Sequence, residues 1–205
     1  MKLILASSYK FLLKYGYDLT DIPKSEMKIA HIITASKGEG EFNPKYKNII
    51  ESNGYKLDSF DIEGKTEEEI KNFLNDKNII QVEGGSTFYL LKAVRETGFD
   101  KILKEQLEQG KIYIGTSAGA YLMCPTIEVT NWNKNQDTFG VGDFTSLGYV
   151  PFVLYAHYKD EQKDFVKENM KTLKYPIHIL RDEEGMFCED GVCRFIGDGE
   201  EVILK

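Results

Sequence analysis

Cysteine and histidine are scarce in this 205-residue chain, and that scarcity removes classes of chemistry. The three cysteines form no Cys-x-x-Cys, and His31, His157 and His178 lie far apart. No zinc-ligand spacing results, so neither a metal nor a cofactor is expected. Basic charge is also in deficit: 26 Lys and Arg against 33 Asp and Glu leave a net charge of −7. Nucleic acid and anionic membrane surfaces both need a positive field, so neither is expected as a partner. Long apolar runs are missing. The N-terminal run Leu-Ile-Leu-Ala (3–6) stops at Ser7, too short for the apolar stretch of a secretory leader. Nothing approaches the ~20 apolar residues of a membrane span. A cytoplasmic protein is expected, in which Cys188 and Cys193, set opposite each other by an Asp190-Gly191 turn, stay as two reduced thiols. Linkers, repeats and low-complexity segments are absent as well, so residues 1–205 read as one domain.

What is present is a normal globular balance, 41% hydrophobic and 29% charged, enough to bury a core. Short apolar runs predict strands at 3–6, 29–34, 56–61, 79–82 and 112–115. Helical patterns lie between them. Pro44 opens one that Asn53-Gly54 stops, and Thr66-Glu-Glu-Glu69 has capping-box spacing. Two more fill 87–97 and 99–109, and another is expected over 159–173. Alternation of this kind implies βαβ units, hence an α/β fold with a mostly parallel sheet flanked by helices on both faces. The tail from 177 to 204 carries Asp-Gly turns at 190–191 and 198–199 and predicts antiparallel strands closing one edge.

The sharpest chemical signal is Gly115-Thr116-Ser117-Ala118-Gly119, after an apolar strand and before a short helix. A nucleophile on such a turn needs small flanking residues, and its hydroxyl then stands clear of the sheet. The N–H of the next residue, Ala118, points where an oxyanion would form. His157 follows an apolar run at 150–154 and is the candidate base, because ligands of open α/β sheets bind at the C-terminal ends of strands. An acid should orient the imidazole. Of those between Ser117 and His157, Asp137 ranks first, in a polar loop, then Glu128 and Asp143. His31 and His178 read as structural. A second glycine turn, Glu83-Gly84-Gly85-Ser86-Thr87, follows the fourth strand, and the amides of Gly84 and Gly85 are candidates for the other oxyanion donor.

Residues 82–91 (VEGGSTFYLL), Gly115-Thr-Ser-Ala-Gly-Ala120 with Cys124-Pro125-Thr126, and Ala156-His157-Tyr158 resemble peptidase E, the α-aspartyl dipeptidases, and the related cyanophycinases. The likeness runs from residue 34 to Leu180-Arg181-Asp182. It implies a three-layer sandwich like the class I glutamine amidotransferases, with serine at the elbow. By motif, Ser117 is the nucleophile and His157 its base, while Gly85 and Ala118 offer oxyanion amides. The implied activity is hydrolysis of short peptides through an acyl-enzyme. The chain departs from the family pattern at three places. Glu83 and Ser86 replace a glycine and an asparagine of the glycine turn, and Trp132 stands where the aspartyl dipeptidases carry an acid after Thr130-Asn131. The acid then comes from elsewhere, with Asp137 the candidate, or is missing. Arg181 is the candidate cation for an acidic substrate side chain. The rival reading is a catalytically silent relative that binds a small ligand or another partner in the same cleft; an amide hydrolase of cyanophycinase type lies between the two. An oligomer is compatible with either.

Overall fold

The computed structural model describes residues 1–38, 44–132 and 137–204. Nine strands are present among them: β1 (Lys2–Ala6), β2 (Ile29–Ile32), β3 (Leu57–Phe60), β4 (Ile79–Val82), β5 (Ile112–Thr116), β6 (Val153–Tyr155), β7 (Ile177–Ile179), β8 (Gly185–Glu189) and β9 (Val192–Ile196). The helices are α1 (Tyr9–Phe11), α2 (Thr34–Lys37), α3 (Lys45–Ser52), α4 (Glu67–Leu74), α5 (Thr87–Thr97), α6 (Phe99–Glu108), α7 (Ala118–Tyr121) and α8 (Lys163–Met170). Seven strands form one sheet in the order β3-β2-β4-β5-β1-β8-β9. The first five are parallel, and β8 and β9 add antiparallel at the edge.

Side chains alternate across this sheet and both faces are covered, as a parallel sheet requires. Leu3, Leu5, Ala30, Ile32, Ile80, Val82 and Tyr113 meet apolar residues of α4, α5 and α6. On the opposite face, Ile4, Ile29, Ile79 and Ile114 meet Phe11, Leu12, Tyr17 and Ile50. Local chemistry sets the helix ends. Thr66 and Glu69 form the capping box of α4. Ser86 caps α5 by accepting from Tyr89 N–H, and Gly98 ends that helix in the left-handed conformation.

Four expectations need correction. The strand predicted over 29–34 stops at Ile32, and Thr34 already begins α2. The helix expected over 159–173 is confined to Lys163–Met170 after a 3-10 turn at Asp160–Gln162. Most consequentially, β7 does not join the antiparallel edge. It lies parallel to β6 in a separate two-stranded sheet, with α8 as the crossover. Cys188 and Cys193 face each other across the β8–β9 hairpin and are joined as a disulfide, where two thiols were expected. Asp190 and Gly191 both take positive φ at that turn, the geometry of a tight hairpin. No helix among the described residues is long and apolar enough to cross a membrane.

This topology brings five strand ends to one rim. The segments after β4, β5 and β1, neighbours in the large sheet, supply Glu83–Gly85, Ser117 and Ser7-Ser8. The segments after β6 and β7 supply His157 and Asp182. Ser7 stitches the two sheets together: its hydroxyl accepts from His157 N–H at 2.8 Å and donates to the Leu180 carbonyl at 3.4 Å.

Candidate active site

Ser117 sits between β5 and α7 with φ 46° and ψ −107°, a conformation that costs an L-residue energy and persists only where the surroundings hold it. The flanking glycines explain how it is held. A Cβ on Gly115 would lie 2.5 Å from the Gly119 carbonyl carbon, and one on Gly119 would lie 2.3 Å from the Val82 carbonyl oxygen. Neither position accepts a side chain without moving backbone. Tyr113 Oη anchors the same turn by donating to the Gly119 carbonyl at 2.7 Å.

The elbow presents Ser117 Oγ 3.1 Å from His157 Nε2, and His157 Nδ1 is 2.8 Å from Asp182 Oδ1. Burial pushes the Asp182 carboxyl up, but hydrogen bonds from His157 and Lys10 outweigh it and hold the group below the usual carboxylate range. An ionised carboxylate only accepts, so Nδ1 carries the imidazole proton. Nε2 of the neutral ring is then free to accept from the serine hydroxyl. Second contacts steady each member. Lys10 Nζ lies 3.2 Å from Asp182 Oδ2, and Ser8 Oγ donates to the Asp182 carbonyl at 2.7 Å. His157 is itself at φ 59°. The buried Tyr121 hydroxyl accepts from Ala156 N–H at 2.9 Å, supporting the segment that carries it.

Asp137 is not in this constellation. Its carboxylate accepts from the N–H groups of Phe139 and Gly142 at 3.2 and 2.7 Å and closes its own loop. Neither alternative is hydrogen-bonded to His157: its Nδ1 faces Asp182, Glu128 begins a 3-10 turn, and Asp143 accepts from Thr145 N–H and faces Arg95. Asp182 lies 25 residues after His157, outside the interval between the serine and the histidine that holds the candidate acids. The available signal was the helix between two short apolar runs, which makes β6 and β7 a βαβ pair whose ends converge. Trp132 packs its ring against Tyr155 at 5.9 Å between centroids. Arg181 is paired with Asp160 and Glu184 and stacks on Tyr158.

A cleft of about 790 Å³ opens beside the serine, lined by Ser117, His157, Asp182, Gly84, Gly85 and Glu83 among others. Gly84 lies directly against Ser117, since a Cβ there would be 3.2 Å from Ser117 Cβ. Gly85 has φ +141°, and a Cβ on it would strike the Ala35 carbonyl at 2.4 Å, so only glycine fits. Ala118 opens α7, where its N–H has no intrahelical acceptor. No group of three or more His, Cys, Asp or Glu among the described residues is placed to share a metal ion.

The sequence model of peptidase family S51 matches residues 4–198. The chain belongs to this family. Membership makes it a peptidase, a hydrolase of serine type. An uncharacterised peptidase of Pasteurella multocida is 32% identical over 160 residues, 77% of this chain and 77% of its own length. The peptidase E of a Nostoc species is 28% identical over 174 residues, 80% of this chain and 69% of its own. Among solved structures, a candidate peptidase E of Listeria monocytogenes superposes with a TM-score of 0.79 at 27% identity, covering 95% of this chain and 97% of that one. A peptidase from an acI-B1 actinobacterium, 17% identical, shares the fold with a TM-score of 0.72 over 100% of this chain and 90% of that one.

Proposed function

We propose that this S51 peptidase cleaves short peptides through an acyl-enzyme on Ser117, with His157 as base and Asp182 as the acid that orients it. The observation that carries this reading is the continuous chain from Ser117 Oγ through the imidazole to an ionised carboxylate. His157 Nε2 takes the hydroxyl proton as Oγ attacks the scissile carbonyl carbon. The tetrahedral oxyanion is met by the N–H groups of Ala118 and Gly85, with Gly84 leaving room beside the nucleophile. When the intermediate collapses, the imidazolium gives its proton to the departing amine. Water, deprotonated by the same nitrogen, then attacks the ester and frees Ser117. Asp182 stabilises the imidazolium in both halves without itself taking the proton.

A cleft of about 790 Å³ is in the range of small-molecule sites, which favours short peptides over folded protein. The silent-relative reading rests on Trp132 in place of an acid and on the altered glycine turn; Asp182 beside His157 speaks against the first of these.

Mass spectrometry of a dipeptide panel, Asp-Leu included, tests the proposal. Cleavage by the wild type that disappears in Ser117→Ala is the expected result. A folded wild type that cleaves no member, or a Ser117→Ala variant that cleaves as well, refutes it.

A further inference from the structure

The cleft wall contains a carboxyl group, that of Glu83, that the proposed chemistry does not use. Ser59, His31 and Gln81 are register partners across β3, β2 and β4 and put polar groups on one face of an otherwise apolar parallel sheet. Each is matched. Ser59 Oγ lies 3.2 Å from His31 Nδ1 and accepts from Lys47 Nζ at 3.0 Å, and Gln81 Oε1 accepts from Tyr17 Oη at 2.7 Å. Two residues beyond Gln81, and therefore on the same face, comes Glu83.

Glu83 is 6% exposed and lines the cleft that holds Ser117. Its Oε2 is fully buried and has no hydrogen-bond partner among the described residues. His31 Nε2 is 3.3 Å away but is not aligned to donate. A buried carboxylate without a donor is costly, and such groups in native proteins normally have a partner. Glu83 lines the same cleft as Ser117 and is followed directly by Gly84, which packs against the serine, so a substrate held at Ser117 lies beside it.

We propose that Glu83 is a specificity-determining residue that receives a cationic amine of the substrate beside the scissile bond. An ammonium supplies both what the carboxylate lacks, charge and N–H donors. A neutral amide supplies only the second. The amine comes from one of two sources: the free α-amino group of the peptide, or the side chain of a basic residue. This inference rests on Ser117 as the point of attack, and it adds the substrate class.

Binding to Ser117→Ala, which holds peptide without turning it over, tests the idea apart from catalysis. Calorimetry with three probes separates the sources. Leu-Leu carries only the α-ammonium, N-acetyl-Lys-Leu only the side-chain ammonium, and N-acetyl-Leu-Leu neither. One of the first two should bind about tenfold or more tightly than the third, and the identity of that probe names the source. In Ser117→Ala/Glu83→Gln the advantage should vanish, while N-acetyl-Leu-Leu keeps its affinity within about threefold. Equal affinities of all three probes overturn the proposal and leave Glu83 as half of a His31 ion pair. An advantage that survives Glu83→Gln overturns it too. If the double variant fails to fold, the three-probe comparison on Ser117→Ala decides alone. Amine selectivity without any hydrolysis by the wild type would sustain this inference and sink the peptidase mechanism; hydrolysis without amine selectivity would do the reverse.

Discussion

At the scale of single residues, the site turns on which carboxylate meets His157. Asp182 holds Nδ1 at 2.8 Å, whereas both Asp137 oxygens are spent on backbone N–H groups of their own loop. Asp182→Asn is therefore expected to lower kcat by about 10²–10⁴ with little change in KM, because the amide disfavours the tautomer in which Nε2 accepts. Asp137→Asn should leave kcat within about twofold, as a surface substitution away from the reacting atoms does. Steady-state kinetics on the two variants checks both, and a large loss in Asp137→Asn with none in Asp182→Asn would reverse the assignment. The serine and the histidine were legible in sequence because each sits in a short local pattern. Asp182 lies 25 residues beyond its partner, and no local pattern announces that distance.

At the scale of elements, the elbow and the glycine turn are held by backbone contacts that leave no space for a side chain. Gly119→Ala drives a Cβ to 2.3 Å from the Val82 carbonyl oxygen and should cost about 3 kcal/mol. For a chain of this length that is a fall in Tm of roughly 6–12 °C by calorimetry, with activity lost at temperatures where the variant is still folded. The turn at Gly85 is braced from α2, where the Ala35 carbonyl accepts from Ser86 N–H at 2.9 Å. Asp61, just past β3, fixes α2 in turn: it accepts from Thr34 Oγ1 at 2.9 Å and from Lys37 Nζ at 2.6 Å. Burial raises the Asp61 carboxyl, but Lys37, the Glu63 N–H and Thr34 outweigh it and hold it below its ordinary value. A depressed carboxyl contributes stability that is complete above the unfolded-chain pKa, near ~4, and is lost as pH falls through the lower folded value. The stability gap between wild type and Asp61→Asn, from urea melts, should stay level at about 1–2 kcal/mol from about pH 8 to 5 and close below about pH 4. A gap that widens on acidification would show that the carboxylate is not stabilised in the fold. The strands, the capping box and the helix over 87–97 were readable from periodicity. The pairing of β7 was not, because a three-residue Ile-His-Ile strand is compatible with either sheet and either direction.

At the scale of the whole molecule, two apolar layers cover the large sheet, and one covalent link closes its edge hairpin at the end away from the rim. Cys188 and Cys193 are joined across the edge hairpin, and Cys124 is buried with its thiol pushed up to about 12 by burial. Thiol titration with a chromogenic disulfide should find none of the three cysteines reactive in the native protein and one after unfolding without reductant. Unfolding with reductant should expose all three. Three reactive thiols after unfolding alone would mean the hairpin is not linked. The same scale shows why the cleft is where it is: β4, β5 and β1 are neighbours, and parallel strands deliver their following loops to one edge.

The sequence by itself determined much that depends on contiguous residues: the alternating α/β pattern, the two glycine turns, the serine on its elbow and the histidine after an apolar run. Period-2 and helical patterning, capping and the steric demands of glycine all act within a few residues, so they are written where they operate. Only the tertiary structure decided that Asp182 rather than Asp137 faces His157, that β6 and β7 pair in parallel, and that Glu83 Oε2 is buried with no hydrogen-bond partner among the described residues, in the cleft that holds Ser117. Those outcomes depend on which strands become neighbours. Strand order is settled by the burial of many side chains at once, so a carboxylate 65 residues from the serine (40 to His157 and 25 more to Asp182) gains its role through packing that no local stretch encodes.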